Sequence, residues 1–206
     1  MNPREVLNLA RPVMPVANFH SASHAQACAE LFAAAGVPAI EVTLRSREAQ
    51  EYFRICRQIM TAAQVGLGTV TNKEQLQFAI KEADFAISPG LSPALVDEVP
   101  EDFCYIPGIA TASELMQAVD RGFETLKLFP ASIVGGVAAL KAFGGPFPSV
   151  KFCPTGGISL ANMQDYLALE NVLCVGGSWL IPSEADIRSK RQSLLDELGA
   201  LYSTQQ

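Results

Sequence analysis

The feature that most constrains this chain is an alternation: eight short apolar runs, each followed by a stretch with helical periodicity. The runs are Pro12 to Ala17, Pro38 to Leu44, Gln64 to Gly68, Asp84 to Ser88, Phe103 to Ile106, Phe123 to Phe129, Val150 to Cys153 and Val172 to Val175. A short leading helix is predicted over 3–9, with Asn2 as N-cap and Pro3 at the first helical position. Further helices are predicted from Ser21 to Ala35, where Gly36 ends the segment, and over 47–62. Others start at Thr71 or Asn72 and run to Glu82, open briefly at Ser92-Pro93, and run from Thr111 or Ser113 to Arg121. The last three cover 134–143, the stretch capped by Ser159, and 183–202. Eight strands alternating with helices in 206 residues predict one domain over 1–206, a small α/β (β/α)8 TIM barrel with a short N-terminal helix. An open doubly wound sheet competes, but a chain this short rarely needs eight strands to make one.

Composition narrows the partners. Apolar residues make up 49% and charged residues 17%, which argues for a compact body and against disorder. A net charge of −6 with no basic stripe gives nucleic acid no footing. No apolar run reaches the roughly 18 residues of a membrane span, and the start of the chain carries no signal pattern, so a cytoplasmic protein is expected. Cys28, Cys56, Cys104, Cys153 and Cys174 stand singly, without the C-x-x-C pairs of a zinc site, and read as buried thiols in a reducing compartment. His20 and His24 are four apart, yet no acidic or sulfur partner lies near, and metal is not expected.

Two charged residues sit where strand parity turns them inward. In Thr125-Leu126-Lys127-Leu128-Phe129, parity puts Lys127 opposite in direction to Leu126 and Leu128. The plain reading is a stem buried at a strand end with its head in water. The sharper one is a nucleophile, since a desolvated lysine loses its proton more readily and can form a Schiff base with a carbonyl. In Ala39-Ile40-Glu41-Val42-Thr43-Leu44-Arg45, Glu41, Thr43 and Arg45 face the barrel axis. Glu41 reads either as a member of an interior ion pair or as a general acid/base, and Arg45 as a clamp for a carboxylate. Strands two and six lie across a ring of eight from each other, so Glu41 and Lys127 can meet directly or through one water.

The strand exits are rich in glycine, threonine and serine, as where backbone must come close to a ligand. Thr155-Gly156-Gly157-Ile158-Ser159 and Gly176-Gly177-Ser178 follow strands seven and eight, where this architecture holds phosphate groups. Phe129 and Trp179 read either as pocket walls or as core.

As a set, Ile40-Glu41-Val42-Thr43-Leu44-Arg45-Ser46, Gly66-Leu67-Gly68-Thr69-Val70, Ile87-Ser88-Pro89-Gly90-Leu91, Lys127-Leu128-Phe129-Pro130-Ala131, Phe152-Cys153-Pro154-Thr155-Gly156-Gly157-Ile158-Ser159 and Val175-Gly176-Gly177-Ser178-Trp179-Leu180 resemble the bacterial 2-keto-3-deoxy-6-phosphogluconate aldolases, many of which also act on 4-hydroxy-2-oxoglutarate. The resemblance runs from about Val13 to Leu180. It implies a metal-independent, cofactor-free class I aldolase that works as a homotrimer on a small keto-acid phosphate. Lys127 would form the Schiff base, Glu41 would be the general acid/base, and Arg45 would bind the substrate carboxylate. Thr69 and Phe129 would shape the pocket, Pro89 and Thr155 would be further substrate-binding positions, and Gly156, Gly157 and Ser178 would hold the phosphate. Two departures are Ala17-Asn18-Phe19-His20, which fits no family pattern, and Leu67, bulkier than an expected alanine at the pocket floor. An aldolase for the galactonate-derived epimer, a phosphosugar isomerase or epimerase, and a non-catalytic phosphate-ligand binding barrel are the rival readings.

Overall fold

The structure, a computed structural model, describes residues 1–203. The leading helix α1 (Pro3–Leu9) opens under a capping box in which the Asn2 side chain accepts from the Glu5 N–H and the Glu5 carboxylate accepts from the Asn2 N–H. There follow β1 (Val13–Ala17), α2 (Ala22–Ala34), β2 (Ala39–Thr43), α3 (Ala49–Ile59), β3 (Gln64–Gly68), α4 (Lys73–Glu82), β4 (Ala86–Ile87), α5 (Pro93–Val96), β5 (Tyr105–Ile106) and β6 (Gly108–Ile109). The remainder is α6 (Ala112–Val119), β7 (Thr125–Leu128), α7 (Gly136–Gly144), β8 (Lys151–Pro154), α8 (Met163–Leu167), β9 (Val175–Gly177), a 3-10 turn (Ser178–Leu180) and α9 (Glu184–Ser203). Ser21, Asn72 and Thr111 cap α2, α4 and α6 with their side chains, and Gly36 takes the left-handed conformation (φ 70°) just past the end of α2.

The strands are parallel throughout and lie in two sheets, one ordered β5-β4-β3-β2-β1-β9 and the other β6-β7-β8. The fifth apolar run ends as β5, and a further short strand, β6, follows it across Pro107, which has no N–H to give to a ladder. Its carbonyl still accepts from the Lys127 N–H at 3.0 Å, so the chain passes from pairing with β4 to pairing with β7. At the other edge a single parallel bridge joins Thr155 to Gly176.

Three expectations shift. The eighth strand sits at Val175–Gly177, because its ladder partner is β1, while Val172 makes only an isolated bridge to Phe152. Ser159 is not the N-cap of a helix: the chain first turns, with Asn162 Oδ1 accepting from the Ser159 N–H at 2.8 Å, and α8 begins after Asn162. Leu67 is buried in the cluster that β3 shares with α3 and α4, not on a pocket floor.

Strand parity sorts the core. Ile40, Val42, Val65 and Leu67 pack outward under α2, α3 and α4, and Leu126, Leu128 and Phe152 pack outward under α6, α7 and α8. Facing inward near the strand starts are Met14, Ala39, Phe85, Ile87, Cys104, Ile106, Cys153 and Cys174, closed from below by Val6 and Leu7 of α1. This apolar floor lies beneath a layer of buried polar side chains, Glu41, Thr43, Ser88, Lys127 and Thr155.

All five cysteines are buried and reduced, and burial pushes the Cys28, Cys56 and Cys104 thiols up to about 12 from 9.0. Because these thiols keep their protons in the folded chain and lose them first when it unfolds, stability is full below about pH 9 and falls as pH rises toward 12. Each thiol contributes up to about 1.4 kcal/mol per pH unit to that fall. Thermal unfolding from pH 8 to 11 should show the decline, and Cys56→Ala should make it shallower; equal slopes would remove the burial argument.

Candidate active site

The site grows from the polar layer. Glu41 stands two residues beyond Ala39, and Lys127 two beyond Thr125, so both side chains point to the inner face. The Lys127 ammonium donates to both carboxylate oxygens of Glu41, at 3.0 and 3.2 Å. Their residues are only 5% and 1% exposed. The two charges therefore meet directly, and the snorkelling alternative for Lys127 is excluded. Phe129, next but one along the strand, presents its ring to the ammonium, with Nζ 5.6 Å from the ring centroid.

Glycine is required beside the pair. Glu41 and Gly66 are register partners, and a Cβ on Gly68 would stand 2.0 Å from Glu41 Oε1. A Cβ on Gly66 would likewise strike the Phe85 ring at 2.2 Å. Here the glycines of the third exit make room for the chain's own inward side chains, a different cause from ligand approach. Gly108, the register partner of Lys127, has no room for a Cβ because the Pro89 backbone lies 2.4 Å from where it would be. Pro89 is half-buried at that turn, which Ser88 ties by donating from Oγ to the Gly90 carbonyl at 2.8 Å.

Arg45 is exposed at the mouth and donates from Nε to Thr69 Oγ1 at 3.3 Å. Thr69 is the one residue other than glycine with positive φ (60°) among those described, a costly conformation for a β-branched side chain. Among the described residues no carboxylate pairs with Arg45, so its guanidinium keeps donors for an anion.

The exits of β8 and β9 come side by side through the Thr155–Gly176 bridge, where a Cβ on Gly176 would lie 2.1 Å from Thr155 Oγ1. Thr155 itself is buried. Gly156 (φ 100°) and Gly157 (φ 74°) form the turn after it, and Ser178 is exposed at the start of the 3-10 turn. Sequence reasoning gave no role to Thr43 or Ser88. Thr43 Oγ1 donates to the Ala17 carbonyl at 2.9 Å and ties β2 to the exit of β1, and its signal was the parity it shares with Glu41 and Arg45. A cavity of about 730 Å³ lies elsewhere, at Asn2, Arg121 and Phe123, and gathers none of these residues.

The arrangement joins a buried amine, a carboxylate in contact with it, a cation at the mouth and two neighbouring exits with backbone turned open. It is suited to hold a carbonyl compound by charged ends while a proton moves between Lys127 and Glu41. Gly68→Ala should cost about 1–3 kcal/mol by forcing Glu41 aside, whereas Gly90→Ala, with nothing within 4 Å of the added carbon, should cost under about 0.5 kcal/mol. Chemical denaturation of both variants checks this, and equal costs would refute the crowding at Glu41.

A family model described as KDPG and KHG aldolase matches residues 4–194. The 2-dehydro-3-deoxy-phosphogluconate aldolase of Dickeya dadantii (strain 3937) is 49% identical over 183 residues, covering 88% of this chain and 86% of the relative. The KHG/KDPG aldolase of Escherichia coli (strain K12) is also 49% identical, over 176 residues, covering 84% and 83%. A crystal structure of the KDPG aldolase of Legionella pneumophila, with pyruvate captured at low pH as a covalent carbinolamine intermediate, matches with a TM-score of 0.87 at 39% identity and 98% coverage of both chains. With a family model matching residues 4–194 and relatives 49% identical over most of the chain, the chain belongs to the KDPG and KHG aldolase family.

Proposed function

We propose that this chain is a class I aldolase that cleaves 2-keto-3-deoxy-6-phosphogluconate to pyruvate and glyceraldehyde 3-phosphate, and 4-hydroxy-2-oxoglutarate to pyruvate and glyoxylate. The observation that carries the reading is the direct, buried contact of Lys127 with Glu41 at the strand exits. In this mechanism Glu41 takes the ammonium proton and the neutral amine of Lys127 adds to the C2 carbonyl. Glu41 returns that proton to the carbinolamine hydroxyl, which leaves as water and gives an iminium that serves as an electron sink while the carboxylate is restored. Glu41 then removes the proton of the C4 hydroxyl, the C3–C4 bond breaks, and its electrons pass into the enamine while the aldehyde leaves. The enamine takes a proton at C3, and water releases pyruvate and regenerates the amine. Arg45 holds the substrate carboxylate by charge-assisted hydrogen bonds, with Thr69, Phe129, Pro89 and Thr155 around the reacting carbons. Gly156, Gly157 and Ser178 take the phosphate, and the separation of the two ends orients the bond to be broken.

The same reading closes the two sheets into one (β/α)8 barrel spanning the chain as a single domain. It is supported by the pairing of β9, the last strand, with β1, and by the links at Pro107 and between Thr155 and Gly176. No described helix is long and apolar enough to cross a membrane, and five reduced, buried thiols accord with work in the cytoplasm, in sugar-acid breakdown. A homotrimer accords with Ile133 and Leu160, large apolar side chains left 81% and 65% exposed after β7 and β8.

Incubation with pyruvate and borohydride should fix one pyruvyl group on Lys127, seen by intact mass and peptide mapping, and none on Lys127→Met. An adduct on the variant, or none on the folded, saturated parent chain, would end the Schiff-base assignment. Light scattering on the purified protein should give the mass of three chains; a monomer at micromolar concentration would refute the trimer.

A further inference from the structure

β1 lies between β2 and β9, so the turn that leaves it stands between Thr43 on one side and Gly177-Ser178 on the other. This is the segment Asn18-Phe19-His20, which matched no family pattern. A cavity of about 300 Å³ opens there, and Asn18, His20, His24, Ser178 and Ser183 are among its walls. Asn18 Oδ1 lies 3.5 Å from Thr43 Oγ1, which ties this wall to the strand that carries Glu41.

The two imidazoles differ in what holds them. His24 is fixed, because its Nε2 donates to the Pro182 carbonyl at 2.9 Å and Phe19 packs edge-on against it at 5.3 Å. His20 lies nearly parallel to it, with ring centroids 6.3 Å apart at 23°. Its ring is exposed and takes part in no hydrogen bond among the described residues, so both nitrogens face the cavity or solvent unspent.

Charge is what the phosphate end otherwise lacks. Gly156, Gly157 and Ser178 offer backbone N–H groups and a hydroxyl, all neutral donors. Among the residues lining the cavity at Ser178, the two histidines are those able to carry positive charge. The Glu184 carboxylate, next in sequence to Ser183, is engaged by the Ser23 hydroxyl at 3.2 Å and by Arg188 at 3.6 Å.

We propose that His20 determines specificity for the phosphorylated end of the substrate, donating from its ring to a phosphate oxygen held at Ser178 while the fixed ring of His24 sets its orientation. This rests on the aldolase reading above. Unphosphorylated 4-hydroxy-2-oxoglutarate does not carry the group that His20 recognises, so the residue acts on the choice between substrates.

The test compares kcat/KM for 2-keto-3-deoxy-6-phosphogluconate with that for 4-hydroxy-2-oxoglutarate in the parent chain, His20→Ala and His20→Lys. His20→Ala should lower the ratio on the order of tenfold, through KM for the phosphorylated substrate. Inhibition by inorganic phosphate should weaken by a similar factor, and His20→Lys, which keeps a cationic donor, should restore most of both. A ratio in His20→Ala equal to the parent's, or a loss that falls alike on the two substrates, overturns the role of His20 alone. A parent chain that cleaves neither substrate overturns the aldolase reading and this inference with it.

Discussion

The structure depends on a charge pair placed where water is nearly absent. Lys127 and Glu41 are almost wholly buried, and removing two ions from water costs several kcal/mol each before their attraction is counted. The fold tolerates this through geometry: the lysine reaches both carboxylate oxygens, so neither charge is left unmatched. Such a pair contributes little net stability compared with a well-packed apolar substitute, and losing one partner leaves a stranded charge at a cost of about 3–5 kcal/mol. Its presence in an interior otherwise floored by Met14, Phe85, Ile87 and Ile106 therefore marks chemistry more than architecture.

Much of this was legible in the sequence, and the reason is parity. A period of two places Ile40 and Val42 outward and Glu41 inward, and Leu126 and Leu128 outward with Lys127 inward, whatever the rest of the chain does. The cap at Ser21 was equally local and readable, and for α4 and α6 the choice narrowed to Thr71 or Asn72 and to Thr111 or Ser113, of which Asn72 and Thr111 cap. What was not legible depended on distant partners. The last strand lies where β1 pairs with it, at Val175–Gly177, and the residue strings on either side carry no sign of that. Gly68 reads as a turn or ligand glycine until the position of Glu41 is known, since only the folded sheet shows a carboxylate oxygen 2.0 Å from its missing Cβ. Ser159 had the composition of a cap, but the chain turns once more, with Asn162 Oδ1 accepting from the Ser159 N–H, before α8 begins, and propensity does not rank such a turn against a helix start.

Distance from the floor separates the tasks of the site. The Lys127–Glu41 pair is set on strands, below the exits, with its neighbours fixed by glycines that admit no substitution without displacement. The residues to which the proposed reading gives recognition stand higher, on exits that are exposed: Arg45 at one side, Ser178 and His20 at the other. The strain at Thr69 belongs to this upper level. A β-branched residue at φ 60° costs of order 1–3 kcal/mol, and its hydroxyl is the group that receives Arg45 Nε.

That separation bears on how such a fold can change its substrate. A substitution at Gly68 or Glu41 disturbs a buried charge and is felt by the whole fold, whereas one at Asn18 or His20 alters a surface turn and falls within the range of ordinary exposed changes. The exit of β1 is the place where these demands part most clearly. Its backbone is tied through the Ala17 carbonyl to Thr43, in the strand that carries Glu41, yet Asn18 and His20 beyond it line a cavity shared with Ser178. On the proposed reading, specificity for the far end of the substrate is open to change in a single turn, with the carbon–carbon chemistry below it left in place.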